Sequence, residues 1–346
     1  MENRNRTEIA TLGEFGLIEK LTADIKPVNE STRKGVGDDD AVLHYEGHET
    51  LVTTDLLLEG VHFDLTYVPL KHLGYKSAVV NFSDIYAMNG TPRQITVSLG
   101  VSKRFSVEDL EELYAGIRLA CQTYGVDLVG GDTSASMTGL TISITCIGEG
   151  VAGKIAYRNG AHENDLICVS GDLGAAYMGL QLLEREKRVF AGEKDFKPAF
   201  DNREYLLERQ LKPEARRDVI GALDKAGIVP TAMMDISDGL SSELLHICKQ
   251  SHVGCRVYEE RIPIDYQTAM MAEEFNMNLV TAALNGGEDY ELLFTVPLPL
   301  HETVSAIPGI KVIGHITAPS LGCCLITRDG NEIELRAQGW NSLAEE

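Results

Sequence analysis

The chain has 346 residues, 44% of them apolar and 24% charged, a globular composition long enough for two domains and too apolar for wholesale disorder. Lysine and arginine number 31 against 52 aspartate and glutamate, a net charge of −21, which argues against a protein that coats nucleic acid or an anionic membrane. If the substrate is itself an anion, positive charge must come from elsewhere, and bound metal is the obvious source.

In chain order, Phe15, Ile18, Leu21 and Ile25 predict an amphipathic helix over 14–25, followed by a polar, glycine-bearing loop over 29–38. Short β-like runs at Ala41–Leu43 and Leu51–Thr54 precede a helical stretch over 70–88. Ile95, Val97, Leu99 and Val101 alternate as a half-buried strand. Ser106 reads as the cap of a helix whose Leu110, Leu113, Ile117 and Cys121 share one face. Leu140, Ile142, Ile144 and Cys146 alternate again. The glycine-rich, polar stretch 148–164 then marks a boundary near 150. Beyond it come a buried strand (Leu166–Val169), a helix near 174–186, a charged connector over 184–204 and a helix opened by Pro213. A strand–turn–helix over 232–250 leads into a strand-rich end with a hairpin turning at Asp329–Gly330.

The N-terminus has no apolar core of a secretory signal, and no apolar run approaches the ~18 residues that span a bilayer, so a soluble cytoplasmic protein is expected. The seven cysteines (Cys121, Cys146, Cys168, Cys248, Cys255, Cys323, Cys324) are odd in number, scattered and without a CxxC pair. Neither a disulfide framework nor a zinc site is suggested, and a reducing compartment fits. Cys146 and Cys168 read as core rather than as nucleophiles.

Much of the acid sits at expected strand ends and loops beside glycine, serine or threonine. The places are Asp38-Asp39-Asp40 after Gly37, Asp55 after Thr53-Thr54, Asp84 in NFSD, Asp132 after Gly130-Gly131, and Asp235 and Asp238 in DISDG. Aspartate is the short, hard-oxygen ligand that Mg²⁺ prefers. Any one such motif reads more simply as a turn or cap, and Asp109 and Asp165 are assigned so. Asp84 differs, because it lies in an apolar helix-like stretch with Asn81 one turn earlier, and a buried polar pair needs partners. No GxxxxGK[ST] loop, GxGxxG or HExxH is present. Gly171-Asp172-Leu173-Gly174 reads as a strand-to-helix turn, so any ATP must be held by an aspartate–metal site.

The series GVGDDDAVL, TTDLLLEGVHF, NFSDIYAMNGTP, LVGGDT, AYRNGA, MDISDGLSSEL and GGEDYELLF, in that order, resembles the thiamine-monophosphate kinase family from about residue 13 to about 340. That family belongs to the superfamily of aminoimidazole ribonucleotide synthetase, selenophosphate synthetase and a hydrogenase maturation protein. The resemblance implies a two-domain α/β (α+β) fold: an N-terminal metal- and ATP-binding domain over 1–149 that dimerises through its sheet, and a C-terminal α/β domain over 150–346 closing over nucleotide and substrate. The implied reaction is direct phosphoryl transfer from ATP to thiamine phosphate, giving ADP and thiamine diphosphate, with several Mg²⁺ ions neutralising charge.

On matching positions the resemblance makes Asp39, Thr53, Thr54, Asp55, Asp84, Asp132, Asp235 and Asp238 metal ligands, with Asp38 or Asp40 as alternatives to Asp39. Asp39, Tyr124, Gly131, Asp132, Arg158 and Ser237 would contact ATP, and His62, Glu288 and Trp340 the thiamine phosphate. As bare residues, Tyr124 reads as helix packing, His62 as a satisfied, partly buried histidine, Glu288 as exposed after a turn, and Trp340 as a core anchor. The partners implied are ATP, thiamine phosphate and a second copy in a homodimer, with no nucleic acid or membrane. Two rivals stand beside this reading. A sister ATP-dependent synthetase would lack the GVHF and GGEDYEL features, and a selenophosphate synthetase would want a reactive cysteine before Cys121. A non-catalytic acidic cation binder would leave its aspartates scattered.

Overall fold

The computed structural model describes residues 20–34, 42–190, 200 and 202–337. The chain forms two compact units, one of residues up to Ile85 with Gly90–Ala152, the other of Tyr86–Asn89 with Gly153 onward.

In the first unit a two-stranded ribbon pairs β1 (Thr32–Lys34) with β2 (Val42–Leu43). The main sheet holds β3 (Glu49–Leu58), β4 (Thr91–Val101), β5 (Asp127–Ala135) and β6 (Leu140–Gly150) in the order β3-β6-β4-β5. Its alternation is clear in β6, where Leu140, Ile142, Ile144 and Cys146 are buried and Thr141, Ser143, Thr145 and Ile147 face outward. Parallel β4 and β5 are joined through helix α2 (Val107–Tyr124). Ser106 caps that helix reciprocally with Asp109, and Gly125 ends it at φ 72°. Helix α1 (Leu70–Ala87) is buried nearly all round, polar Ser77, Asn81 and Ser83 included. The two helices touch backbone to backbone. A Cβ on Gly74 would stand 2.0 Å from the Leu113 carbonyl oxygen, and one on Gly116 1.9 Å from that of Lys71.

The second unit carries seven strands: β7 (Leu166–Ser170), β8 (Ala232–Asp235), β9 (Gly254–Tyr258), β10 (Leu292–Val296), β11 (Ile310–Thr317), β12 (Cys323–Ile326) and β13 (Glu332–Glu334). Their order is β13-β12-β9-β11-β7-β10-β8, antiparallel except where β12 runs parallel to β9. Both faces of the central strands are covered. Ile167 and Val169 pack into one core with Leu240, Leu244 and Ile247, while Leu166 and Cys168 pack into another with Val219 and Leu223. Continuous apolar runs such as LICV and LLF follow from that double burial.

The helices of this unit are α3 (Ala175–Phe190), α4 (Glu204–Leu211), α5 (Arg217–Lys225), α6 (Leu240–Ser251), α7 (Tyr266–Glu274), α8 (Leu279–Asn285) and α9 (His301–Ser305). Pro213 does not open a helix; it lies in the link between α4 and α5, which starts four residues later at Arg217. Part of the expected charged connector is helix, since α3 runs to Phe190. The stretch expected to be strand-rich contains α7, α8 and α9. The hairpin at Asp329–Gly330 is present: Leu325 pairs with Ile333, and Gly330 turns at φ 80°. No helix among the described residues is long and apolar enough to cross a membrane.

Candidate active site

In the first unit the strand alternation of β3 turns Thr53 and Asp55 toward α1, where Asn81 and Asp84 lie one turn apart. Thr53 Oγ1 donates to Asp84 Oδ2 at 2.6 Å. The Asp55 N–H donates to Asn81 Oδ1 at 3.1 Å, while Asn81 Nδ2 donates to the Ser77 carbonyl at 3.0 Å. Buried Asn81 thus finds both partners and clamps helix to strand. Burial, and then the neighbouring Asp84 charge, push the Asp55 carboxyl up to about 7. Two carboxylates and a hydroxyl sharing one half-buried place form an all-oxygen, anionic donor set, which fits a hard divalent cation. Asp55 and Asp132, expected near strand ends, both lie well inside strands.

Thr54 faces the other side of the sheet, its hydroxyl donating to the Ile144 carbonyl at 3.1 Å. The row through Asp55 crosses Ile144 and Val97 and reaches Gly131 on the opposite edge. Three strand spacings therefore separate Asp55 from the GGD segment, about 14 Å. Asp132 is exposed and registered beside Ser98. Gly131 has a structural reason to lack a side chain, since a Cβ there would stand 1.9 Å from the Val97 carbonyl oxygen. Tyr124 is buried at the end of α2 with its ring against Phe82, centroids 5.4 Å apart.

The GVHF segment folds back on the end of β3. Gly60 takes φ 80°, its N–H donates to the Phe63 carbonyl, and Phe63 is buried. His62 is exposed, and its Nδ1 accepts the Leu58 N–H at 3.0 Å, so the ring's neutral form carries its proton on Nε2. Leu58 is three residues along β3 from Asp55, about 10 Å.

In the second unit DISDG and GGEDYEL are laced together by backbone bonds: Ile236 N–H to Glu291, Tyr290 N–H to Ile236, and Glu288 N–H to Ser237. Asp235 is buried at the end of β8, whereas Asp238 is exposed just before α6. Gly239 takes φ 119°, and a Cβ there would stand 2.9 Å from Leu284 O, so only glycine makes this turn. Glu288, itself at φ 67°, accepts from Gln210 Nε2 at 2.6 Å and is half-buried rather than exposed. Arg158 is exposed in a loop held by its neighbours: Tyr157 accepts the Met233 N–H, and the Arg158 carbonyl accepts from Ser251 Oγ.

Several residues escaped the sequence reading. Glu243 is buried and accepts the Asp238 N–H at 3.0 Å; burial above all, with Asp238 and Asp235 adding to it, pushes its carboxyl up to about 8. Glu291 is buried between Arg209 Nη1 (2.9 Å) and Arg216, and also takes the Ser170 hydroxyl at 2.5 Å. Asp289 accepts the Gly174 N–H at 2.7 Å at the head of α3. Asp165 and Asp109 do serve turn and cap, the former accepting from His162 N–H and Thr231 Oγ1. Gly171–Gly174 is the turn between β7 and α3. Asp38, Asp39, Asp40 and Trp340 lie outside the described residues.

The model of the AIR synthase related protein N-terminal domain matches residues 37–150. A hydrogenase maturation protein HypE solved in complex with ATP, only 18% identical, covers 93% of this chain and 95% of its own with a TM-score of 0.73, which shows the fold alone. Fold and domain model together define the class, the AIR-synthase-related two-domain α/β proteins. A thiamine-monophosphate kinase of Aquifex aeolicus is 38% identical over 286 residues, 83% of this chain and 86% of the relative. A solved structure of AaThiL complexed with AMPPCP and TMP is 33% identical over 98% of this chain and 99% of its own, with a TM-score of 0.73. The chain belongs to the thiamine-monophosphate kinase family.

Proposed function

We propose that this chain transfers the γ-phosphoryl group of ATP directly to thiamine monophosphate, releasing ADP and thiamine diphosphate. The observation that carries the reading is kinship with AaThiL, bound to AMPPCP and TMP, along 98% of this chain. Between two anionic substrates the chemistry is mostly positioning and neutralisation, and bound Mg²⁺ would supply the positive charge that bridges phosphate oxygens. Asp55 and Asp84 would hold such an ion, with Thr53 keeping Asp84 oriented. Asp39, Asp132, Asp235 and Asp238 would serve further ions where the nucleotide completes the ligand set, whereas Thr54, turned to the other side of the sheet and bonded to the Ile144 carbonyl, takes a structural role. Arg158 and Gly131 would meet the nucleotide, and Ser237 would do so just before the head of α6. His62, Glu288 and Trp340 would receive thiamine monophosphate, with Gln210 fixing the Glu288 carboxylate. Tyr124, buried against Phe82, takes a packing role.

The reading carries a homodimer through the first unit's sheet, supported by its outward face, where Val52 is 65% and Leu56 53% exposed. A cytoplasmic location is supported by seven free cysteines, and cell fractionation checks it. The test of the reaction is acceptor dependence: ADP should appear with thiamine monophosphate and Mg²⁺, and not with thiamine in its place. ADP released equally fast without any acceptor would overturn the proposal.

A further inference from the structure

Three cysteines far apart in sequence meet in the second unit. Cys248 lies in the last full turn of α6, Cys255 is the second residue of β9, and Cys323 the first of β12. The turn after α6 is tight: His252 takes φ 54° and the Val253 N–H donates to the Cys248 carbonyl at 3.0 Å, which returns the chain under its own helix. The parallel pairing of β9 with β12 sets Cys255 directly beside Cys323, so their side chains share a face, the one on which α6 packs. The three sulfurs lie within 4.8 Å of one another, and no other such group of three His, Cys, Asp or Glu ligand atoms occurs among the described residues.

The surroundings suit a soft ion. Cys255 and Cys248 are buried in an apolar core with Val257, Leu325 and Leu244, and Cys323 is half-buried at its edge. Arg256 latches the same corner, donating to the carbonyls of Cys255, Leu321 and Gly322. Hydrogen bonds from Cys248 and Cys255 draw the Cys323 thiol below the usual thiol range.

We propose that Cys248, Cys255 and Cys323 form a three-thiolate site for one thiophilic metal ion, and that monovalent copper is the ion it matches. Drawing three sulfurs to about 2.3 Å from a central ion places them about 4 Å apart, inside the 4.8 Å within which the chain already holds them. Thiolate selects soft ions, and three sulfurs complete a trigonal site for monovalent copper. Zinc in structural sites takes four protein ligands, and among the described residues the set here has three. Binding releases the thiol protons to solvent and ties the end of α6 to the β9–β12 edge.

The test uses the full-length protein, reduced and kept anaerobic, competing for copper(I) with the coloured bicinchoninate complex. One copper per chain should be withdrawn. Cys323→Ser and Cys248→Ala should each weaken retention at least about 100-fold, whereas Cys324→Ser, next along β12 and on its opposite face, should match wild type. Because Cys323 is half-buried, its serine variant is expected to keep the fold, and circular dichroism checks that. Failure of the wild type to withdraw copper, or equal loss in Cys324→Ser, would overturn the site. So would an intact mass short of two hydrogens with no copper held, which marks a disulfide among the three.

Discussion

Asp55 is poorly placed for stability and well placed for holding a cation. Its carboxyl titrates at about 7 instead of 3.8, because burial and the Asp84 charge oppose its ionisation. The folded chain therefore binds this proton more tightly than the unfolded one. The stabilisation is complete below about pH 4 and is lost as pH climbs through 7. Asp55→Asn removes the charge but not the shape. At pH 8 without divalent ions it should raise the melting temperature, by an amount equivalent to about 1–3 kcal/mol, and it should flatten stability between pH 4 and 8. The same variant should lose most turnover at saturating Mg²⁺, since an amide brings no charge to the ion. Thermal melts at several pH values, with and without Mg²⁺, separate the outcomes; a destabilised variant that keeps turnover would give Asp55 a structural role only. At this scale the carboxylates themselves were legible, but their neighbours were not. Asn81 could be named as half of a polar pair, yet only the packing of α1 on β3 reveals that its partner is the Asp55 backbone. Glu291 sits inside a quoted motif, and nothing in the chain order announces the two arginines, 82 and 75 residues away, that hold it.

Helices α1 and α2 lie so close that glycine is the only residue their crossing admits. A Cβ on Gly116 would meet the Lys71 carbonyl oxygen at 1.9 Å and the Tyr75 nitrogen at 2.7 Å, both rigid backbone. Gly116→Ala should therefore cost about 2–3 kcal/mol in urea unfolding, because the clash exceeds the ~1 kcal/mol that alanine gains in helix propensity. Gly221, exposed in α5, has nothing within 4 Å of its would-be Cβ. Gly221→Ala should stabilise by about 0.5–1 kcal/mol. Equal effects from both would show that propensity, not the helix crossing, decides the outcome. Elements with long periodic faces were the ones the sequence displayed: α2 through Leu110, Leu113 and Ile117, and β6 through its alternation. The short helices α4, α7, α8 and α9 have five to nine residues, too few turns for a pattern to emerge. The cysteine trio was invisible for a related reason. Its members are held together by a parallel strand pairing, and a search for CxxC spacing cannot detect that.

For the whole molecule, a net charge of −21 must coexist with two phosphorylated substrates, which places the burden of neutralisation on bound cations. The proposed dimer bears on the same scale. Val52 and Leu56 face outward on edge strand β3, in register with Ile147 and Ser143 of β6. Leu56→Arg should turn a dimer into a monomer by sedimentation velocity while leaving the circular dichroism spectrum unchanged; a wild-type chain that sediments as a monomer would remove the dimer from the account. The central claim is direct phosphoryl transfer to a phosphate acceptor, and ³¹P nuclear magnetic resonance follows every phosphorus at once. With ATP, Mg²⁺ and thiamine monophosphate, the paired resonances of thiamine diphosphate and ADP should grow at equal rates with no inorganic phosphate, and Asp55→Asn should all but abolish both. Inorganic phosphate appearing in place of thiamine diphosphate, or a thiamine monophosphate signal unchanged while ATP is consumed, would contradict the account.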